Sequence, residues 1–382
     1  MCSSDKGSDH LGVSGVVHKA KANTNILLLS RYTRLGASSR LRTLQYLPYL
    51  KRESFNIQVA PFFDDSYLNS LYMEHTNRRS TLSYMLQRMS QINAKPAPDI
   101  IWLEKEALPW VPWLIERTIL PRGIPIVSDY DDAIFHRYDK HRLGLIRSIL
   151  GNKVKRIMAS SALVMAGNPY LADHARRANA SQIQIVPTVI DLDNYDVSTV
   201  SENEARLKVG WIGTPETWQA LAHPVHKVLE PVLEEKNALF IAVGAGMQSE
   251  TAGSLKIVPW AEDTEVALIQ GMDIGVMPLP DTPWTRGKCG YKLIQYMACG
   301  LPVVASPVGV NRDIIEDGVN GFLAENDDEW RAAIKKLLDD PALRRRMGAA
   351  GRKKVEEQYS LQVWGPRVAQ MLRSVVDKKA GG

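Results

Sequence analysis

The residues with the clearest capacity for chemistry lie in one stretch, residues 284–309, which reads WTRGKCGYKLIQYMACGLPVVASPVG. Arg286, Lys288 and Lys292 bring positive charge to a loop and to the first turn of a predicted helix. The N-terminus of a helix favours an anion because its N–H groups are unpaired and the helix dipole is positive there. Gly290 allows the backbone to approach a bulky ligand. The stretch therefore predicts a binding loop for a diphosphate.

Acidic side chains cluster after two predicted strands in the first half of the chain. Glu104 follows one strand, and Asp129, Asp131, Asp132 and His136 follow the next. So many ionisable groups cannot all be buried without partners, so we expect them to bind sugar hydroxyls, pair with arginines or cap a helix. Magnesium binding is a rival interpretation. It is less favoured because adjacent carboxylates such as Asp131 and Asp132 are expected to diverge.

A third group of candidate residues follows the first predicted strand. Gly36 precedes Arg40 and Arg42 where a β–α turn meets the start of a helix, which is the usual ligand edge of an α/β sheet. The two arginines could bind a phosphate or a sugar, and simple solvent exposure explains them equally well.

Composition limits the class of protein. The chain has 382 residues, of which 45% are hydrophobic and 23% charged, as in ordinary globular proteins, and its length favours two domains. The net charge of +5 is concentrated in the first half. This asymmetry suits an anionic partner such as a membrane surface or a phosphorylated lipid, or else charge that only aids solubility. No nucleic-acid partner is predicted.

Cysteine use and hydropathy bear on the compartment. Cys2, Cys289 and Cys299 have neither disulfide-like nor metal-ligand spacing, which favours a reduced, cytoplasmic compartment. No uncharged apolar run is long enough to span a membrane. Residues 1–23 are polar and are predicted to form a flexible tail.

Apolar runs and helical periods alternate along the first half, which predicts a doubly wound parallel sheet. Predicted strands lie at 56–60, 99–103, 124–128, 162–166 and 183–186 after a first strand at 26–30, with helices at about 66–93, 106–119, 141–159 and 168–179. Trp110 and Trp113, among prolines, suggest an edge that touches a membrane, but aromatic packing under an irregular helix start is the more favoured interpretation.

The predicted helix at 141–160 is amphipathic. Leu143, Ile146 and Leu150 recur at helical spacing, and basic residues such as Arg142 and Arg147 fill the other face. Such a helix can lie on an anionic bilayer. Packing on the sheet with a solvated basic face is the more favoured alternative.

A boundary is predicted in the turn-rich segment 187–204, so that the first domain covers 24–190 and the second 205–358. The second domain repeats the β–α alternation, with strands near 207–213, 239–244, 255–259, 273–278 and 302–305. Two Rossmann-like domains facing across a cleft are the expected architecture. Residues 359–382 are predicted to form a last helix that packs back on the first domain.

Residues 270–360 resemble the GT-B glycosyltransferases, and within them the large retaining group, family 4, that uses nucleotide-sugar donors. The resemblance rests on Met277-Pro-Leu, on the run from Gly287 to Ser306 and on Asp317-Gly-Val-Asn-Gly-Phe-Leu. It is weaker in the loop of Gly36 and in segments 167–171 and 186–191. It implies a GT-B fold and sugar transfer from a nucleoside-diphosphate donor held mainly by the second domain.

The resemblance also implies roles for individual residues. In the family, two glutamates eight positions apart contact the donor sugar and the ribose; here Gly287 and Gln295 stand at those positions, and Gln295 can still bind a ribose diol. The expected donor-binding residues are Gly213, Thr214, Trp260, Asp281, Arg286, Lys288, Gly290, Tyr291, Gln295 and Gly309. Acceptor contacts are expected from Gly36, Arg40 and Glu104. Catalytic roles are expected from Lys292 and, by their position on the first domain rather than by a match to the family's motif, from Asp129, Asp131 and His136.

The function predicted from these features is retaining, metal-independent hexosyl transfer. The co-substrate would be a UDP or GDP sugar, with no cofactor, and the acceptor a glycan or lipid-linked molecule of envelope or exopolysaccharide synthesis. The protein would be cytoplasmic and in contact with the inner face of an anionic membrane. A protein that binds nucleotide sugars without transferring them is the alternative, and a sugar-nucleotide epimerase is less favoured.

Overall fold

The structure is a computed structural model that describes residues 24–72, 81–93, 96–197 and 206–380. The predicted tail at 1–23 lies outside the described residues. Two parallel α/β sheets with separate cores make up the described chain, as expected for two Rossmann-like domains.

The first sheet has six parallel strands in the order β2-β1-β3-β4-β5-β6. Its central strands β1, β3, β4 and β5 are almost wholly buried, because helices cover both faces of the sheet, whereas the edge strands β2 and β6 are partly exposed. They are β1 (Thr24–Leu29), β2 (Phe55–Val59), β3 (Ile100–Glu104), β4 (Ile126–Tyr130), β5 (Leu163–Ala166) and β6 (Ile183–Ile185). The helices are α1 (Ala37–Arg42), α2 (Leu47–Arg52), α3 (Asp65–Tyr72), α4 (Thr81–Ile92), α5 (Trp113–Ile119), α6 (His136–Asp139), α7 (Gly144–Leu150), α8 (Lys153–Ser160) and α9 (Pro169–Arg177).

Two helices of this domain differ from the sequence prediction. The helix predicted from residue 106 begins only at Trp113, because Pro109 and Pro112 interrupt the preceding segment and Trp110 has a φ of +64°. The single helix predicted at 141–159 is two helices, α7 and α8, separated at Gly151 and Asn152. The continuous amphipathic face predicted there is therefore wrong.

The second sheet has seven strands in the order β13-β12-β11-β7-β8-β10-β9. Only β9 runs antiparallel, and its exposed sequence gave no apolar run to predict it. The strands are β7 (Lys208–Ile212), β8 (Leu239–Val243), β9 (Glu250–Ala252), β10 (Leu255–Val258), β11 (Ile274–Met277), β12 (Val303–Ala305) and β13 (Gly321–Leu323). The helices are α10 (Pro215–Thr217), α11 (His223–Glu235), α12 (Glu265–Gln270), α13 (Tyr291–Ala298), α14 (Asn311–Ile314), α15 (Asp327–Asp339) and α16 (Pro341–Gln358). A π-helical turn at Trp218–Ala222 lies between α10 and α11.

The last helix, α17 (Leu361–Ala380), crosses back to the first domain, as the sequence predicts. Leu361, Val368 and Leu372 pack in one core with strands β1 and β3. Gly365 allows a close approach to α2, since a Cβ there would lie 2.6 Å from the Tyr49 ring. The chain therefore passes from the first domain to the second and ends on the first.

Candidate active site in the interdomain cleft

A cavity of about 560 Å³ lies between the two domains, within the usual size of small-molecule sites. From the first domain its wall is formed by residues that follow β1 and β4. From the second it is formed by residues that follow β7, β8 and β10 and by the start of α13. Loops after the strands of open α/β sheets are the usual place for ligands.

The loop before α13 presents backbone and side-chain donors to this cavity. Gly290 has a φ of +67° and turns the chain into the helix, whose first residue, Tyr291, also lines the cavity. Asn168 of the first domain supports the loop by donating from Nδ2 to the Lys288 carbonyl at 2.9 Å. The start of α13, where N–H groups lack acceptors within the helix, therefore lies at the cleft.

Lys288 reaches across the cleft. Its Nζ donates to Oδ1 of Asp132 at 2.8 Å, so the second domain is tied to the first at the cavity wall. Burial opposes the charge of this lysine, but Asp132 outweighs that effect and raises the pKa of Lys288.

Lys292 lies one helical turn further along and lines the same cavity. Its Nζ lies 5.6 Å from the centre of the Trp211 ring. Burial, assisted by repulsion from Lys288, lowers the pKa of Lys292 to about 8. A neighbouring anion would restore full protonation.

Gln295, Glu265 and Trp260 form a hydrogen-bonded group at another part of the wall. Gln295 Nε2 donates to Oε1 of Glu265 at 2.6 Å and to the Tyr195 hydroxyl at 3.1 Å. Trp260 Nε1 donates to Oε2 of Glu265 at 2.5 Å, which fixes the indole beside the cavity. Glu265 therefore supplies a carboxylate next to Gln295, whose own side chain is an amide.

Gly213 and Thr214 line the cavity after β7. Gly244 has a φ of +76°, and a Cβ there would lie 2.2 Å from the Gly213 carbonyl oxygen. Thr214 caps α10 by accepting from the N–H of Thr217. The two glycines keep this wall open for a flat group to approach the backbone.

On the first domain, Lys105 joins two carboxylates at the cavity. Its Nζ lies 2.8 Å from Oδ1 of Asp131 and 3.7 Å from Oδ2 of Asp132. The expectation that these aspartates diverge is therefore wrong. Burial opposes ionisation of Asp131, but Lys105 and Arg42 outweigh it and lower the pKa of Asp131 to about 2. Ser38 completes the group by accepting from Lys105 and donating to Asp131.

Arg40 lines the cavity from α1. Its guanidinium lies 5.8 Å from the Trp260 ring centre and 3.6 Å from a Glu262 oxygen, both on the second domain. Arg42, the other arginine noted in the sequence, does not line the cavity and pairs with Asp129.

Two predicted site residues lie beneath the cavity wall rather than in it. Asp129 is 1% exposed and forms a bidentate pair with Arg42 at 2.8 and 3.2 Å. Glu104 is equally buried and accepts from Ser39 Oγ and the Arg31 N–H. Both carboxylates therefore position the loop after β1, and the structure does not bring them to the cavity surface, because local arginine and backbone donors hold them.

Three further side chains point elsewhere. His136 Nδ1 lies 2.9 Å from Asp139, and its Nε2 lies 2.7 Å from the Tyr170 hydroxyl. Asp281 and Arg286 form an exposed bidentate pair with each other. The cavity wall contains none of the three.

Two predicted glycines also lie off the cavity wall. Gly36 packs against Tyr32, and Gly309 packs against the backbone of Arg286. They shape the loops that carry the lining residues.

Gly287 is closed off by the first domain. A Cβ on Gly287 would lie 2.6 Å from the Ala133 Cβ and 2.8 Å from the Ala133 nitrogen. The residue at the position of the family's sugar-contacting glutamate therefore has no room for a side chain in this arrangement of the domains.

Three residues at or behind the cavity wall escaped the sequence analysis. The sequence did not single out Glu265, which lines the cavity, and Tyr195, which accepts from Gln295 behind the wall, falls in the turn-rich segment predicted as the domain boundary. Lys105 lay in the right segment but has a φ of +64°, which aims its side chain at the aspartates. No sequence period signals any of these placements.

Two absences concern the described residues alone. They contain no group of three or more His, Cys, Asp and Glu side chains that could hold a metal ion. None of their helices is long and apolar enough to cross a bilayer.

Known sequences match the second domain of this chain more strongly than the first. Residues 206–340 match the family model described as Glycosyl transferases group 1. A GDP-mannose-dependent monoacylated alpha-(1-6)-phosphatidylinositol monomannoside mannosyltransferase from Corynebacterium glutamicum is 34% identical over 215 residues, which are 50% of this chain and 55% of that protein. Several other curated relatives match over only 10–27% of their length. The chain thus spans about half the length, or less, of these relatives.

Comparison with solved structures covers both domains. Sucrose-phosphate synthase from Thermosynechococcus elongatus has a TM-score of 0.69 at 15% identity, over 93% of this chain and 100% of that one. Alr3699/HepE from Anabaena, solved in complex with UDP and glucose, has a TM-score of 0.67 at 18% identity, over 92% and 100%.

The fold is the GT-B architecture, with the cleft between two Rossmann-like domains as its site. The second domain carries the sequence features of glycosyl transferases group 1. The resemblance to GT-B glycosyltransferases that the sequence predicts is confirmed.

Proposed function

We propose that this protein transfers a hexosyl group from a nucleoside-diphosphate sugar to a glycan or lipid-linked acceptor of envelope or exopolysaccharide synthesis. The observation that carries the proposal is the cleft itself. Lys288, Lys292 and the open N-terminus of α13 face the same cavity as Gln295 and Glu265. The charged part suits a diphosphate, and the hydrogen-bonding part suits a ribose diol.

The base would lie against Trp260 near the glycines that follow β7 and β8, and UDP and GDP are the candidate nucleotides. The donor sugar would then extend toward Asp131, Asp132 and Lys105 on the first domain. The acceptor would enter past α1 and Arg40. Since Gly287 has no side chain to contact sugar hydroxyls, the aspartates of the first domain are the nearest groups that could do so.

Catalysis would rest on charge stabilisation. A departing nucleoside diphosphate gains negative charge in the transition state, and Lys288, Lys292 and backbone N–H groups at the start of α13 would stabilise that charge. The proposed reaction is independent of a metal, because the lysines supply the positive charge that a cation would otherwise supply. Retention of the anomeric configuration, a cytoplasmic location and membership of family 4 are also part of the proposal, and they rest on the resemblance of residues 270–360 to that family.

The proposal is tested by donor binding and turnover. Thermal shift with UDP, GDP and their sugars should identify a ligand that raises the melting temperature. Nucleotide release with donor and acceptor panels should then follow, with anomeric analysis of the product. Lys292→Ala should weaken nucleotide affinity and slow transfer, each by about 1–3 kcal/mol, whereas Lys292→Arg should retain most of both. Wild-type turnover in the alanine variant would contradict the proposed role.

The second candidate is a protein that binds a nucleotide sugar without transferring it. The closed position of Gly287 favours this candidate, because no side chain from that position can reach a donor sugar. Nucleotide binding without release in any donor–acceptor combination would favour it over transfer. An epimerase would instead convert the donor sugar when incubated without an acceptor.

A further inference from the structure

The charged side chains of the cleft balance one another. In the described part of the chain, four cations and four carboxylates line the cavity or pair directly with a lining residue. The cations are Arg40, Lys105, Lys288 and Lys292, and the carboxylates are Asp131, Asp132, Glu262 and Glu265. Arg34 is a second partner of Glu262, but its side chain is 68% exposed and does not line the cavity. The cleft is therefore close to neutral before a ligand enters.

The carboxylates divide between two parts of the cleft. Glu262 and Glu265 belong to the part proposed for the base and the ribose, where Glu262 lies 3.6 Å from the Arg40 guanidinium. Asp131 and Asp132 belong to the first-domain wall, toward which the donor sugar is proposed to extend. We call this wall the sugar part. Its two carboxylates rely on lysine side chains for their balance.

Lys105 is fully engaged by oxygen atoms of its own domain. Its Nζ lies 2.8 Å from Oδ1 of Asp131, donates to Ser38 Oγ at 2.9 Å and lies 3.7 Å from Oδ2 of Asp132. An ammonium group has three N–H donors, and these three oxygens match that number. The residue is buried, and its φ of +64° aims the side chain in this direction. Lys105 therefore has no N–H group to spare for a negatively charged ligand.

Lys288 is the partner that donor binding would remove from the sugar part. Its half-buried side chain donates to Oδ1 of Asp132 at 2.8 Å. Each phosphate of a nucleotide sugar carries a negative charge at neutral pH. In the described part of the chain, the lysines that line the cavity are Lys288 and Lys292. A diphosphate at the start of α13 would therefore draw Lys288 away from Asp132, and two aspartates would then share Lys105.

The sugar part would then carry an excess of negative charge. A sugar hydroxyl can donate a hydrogen bond to a carboxylate, so an uncharged sugar stabilises Asp131 and Asp132 in their ionised form. A sugar carboxylate has no proton to donate at neutral pH. It would lie beside two like charges in a site that is shielded from water, where repulsion is stronger than in solution.

We propose that the cleft binds donors whose sugar is uncharged and excludes donors whose sugar is a hexuronic acid, with Asp132 as the residue that enforces the selection. The inference deepens the proposed function, on which it rests, by naming the charge class of the donor sugar. Asp132 has this role rather than Asp131, because Asp132 is the carboxylate that gives up a lysine when the diphosphate binds.

The test compares donors that differ only at C6 of the sugar. UDP-glucose and UDP-glucuronate form one matched pair, and GDP-mannose and GDP-mannuronate form the other. Isothermal titration calorimetry of the full chain would be carried out with the pair whose nucleotide binds. We expect the dissociation constant of the uronate to exceed that of its neutral partner by about 10- to 100-fold.

Asp132→Asn should bring the two dissociation constants of a pair closer together by about tenfold, because the amide has the size of the carboxylate without its charge. A structural defect would raise both constants alike, so their ratio separates selection from misfolding. Glu262→Gln is the matched control, since it removes a carboxylate at the base end of the cleft and should leave the ratio unchanged. Asp131→Asn is a second variant in the sugar part and should narrow the ratio in the same direction.

A wild-type ratio near one, or a ratio that both aspartate variants leave unchanged, would overturn the inference. So would equal narrowing by Asp132→Asn and Glu262→Gln, because the effect would then come from the net charge of the cleft rather than from the place of Asp132. In each of these cases nucleotide binding still supports the proposed function. Failure of UDP, GDP and all four sugar nucleotides to bind would contradict the proposed function and this inference with it.

Discussion

Lys292 is held in a site that disfavours its own charge. Burial and the neighbouring Lys288 both oppose protonation and outweigh the support from the Asp132 and Glu265 carboxylates and from the ring of Trp211. A lysine in such a place is stabilised most by a ligand that brings negative charge. The affinity of the cleft for a diphosphate should therefore depend on whether Lys292 is protonated.

The first prediction concerns the pH dependence of nucleotide affinity. Because the pKa of Lys292 lies at about 8 rather than at its usual value, the lysine loses its proton as pH rises through about 8. The affinity for UDP or GDP should fall over that range, while the nucleotide phosphates are already ionised. Isothermal titration calorimetry from about pH 6.5 to about pH 9.5 would measure the nucleotide affinity at each pH.

Lys292→Arg is the matched control for this prediction. A guanidinium stays protonated over the same range, so its profile should be flat where the wild type declines. If the nucleotide affinity of the wild type did not decline with pH, Lys292 would not be in contact with the phosphates.

The second prediction concerns Gly287. Gly287→Ala should lower the free energy of unfolding by about 1–3 kcal/mol, because the added methyl group would meet the backbone nitrogen and Cβ of Ala133 across the domain contact. Urea denaturation followed by tryptophan fluorescence would measure the change. Gly271→Ala is the control, since its Cβ would meet only ordinary contacts at 3.6 Å, and it should change stability by no more than about 0.5 kcal/mol. Equal stability of the two variants would mean that the domains already separate freely at this point.

The sequence was informative about residues whose role is local. A loop and the start of a helix place their residues through local structure alone. The sequence could therefore assign four residues to the cavity, namely Lys288, Gly290, Tyr291 and Lys292. Asp129 could not be assigned in this way, because its buried position depends on Arg42, 87 residues earlier in the chain. Spacing along a chain does not reveal such long-range pairs.

At the scale of elements, the strands were predicted better than the helices. Buried parallel strands are apolar throughout, so a continuous run identifies them. Helix limits depend on local breaks such as the proline-rich segment before α5 and the two residues between α7 and α8. Tertiary packing decides those limits, and it turned one predicted amphipathic helix into two short ones with different faces exposed.

The third prediction concerns α17. Leu372→Ala should cost about 2–5 kcal/mol in the free energy of unfolding, because Leu372 is fully buried between this helix and the first sheet. Chemical denaturation would measure it, with Ser374→Ala on the exposed side of the same helix as the control. Equal stability of these two variants would show that α17 does not contribute to the core of the first domain.

At the scale of the whole molecule, the two domains meet through contacts made by the ligand-facing loops themselves. Lys288 pairs with Asp132, and Arg34 and Arg40 both lie within ion-pair distance of Glu262. Ligand binding and domain closure therefore draw on the same side chains. A diphosphate that attracts Lys288 competes with Asp132 and can alter how firmly the domains hold together.

Cys289 lies at this junction, where its Sγ donates to the Asp131 carbonyl oxygen at 3.1 Å and packs against Gly167. Burial raises the pKa of its thiol to about 12. Cys289 is 8% exposed and lies in the cavity wall, so the rate at which a maleimide labels it should depend on access through the cleft.

The fourth prediction follows, for a Cys2→Ser background in which Cys289 and Cys299 remain. Mass spectrometry after timed labelling should show Cys289 modified well before Cys299, which lies inside the core of the second domain. A nucleotide sugar that holds the domains together should slow the labelling of Cys289 and leave that of Cys299 unchanged. Identical rates for the two thiols would mean that labelling occurs through unfolding of the second domain. With distinct rates, one native sulfur atom reports how accessible the cleft is, with no added probe.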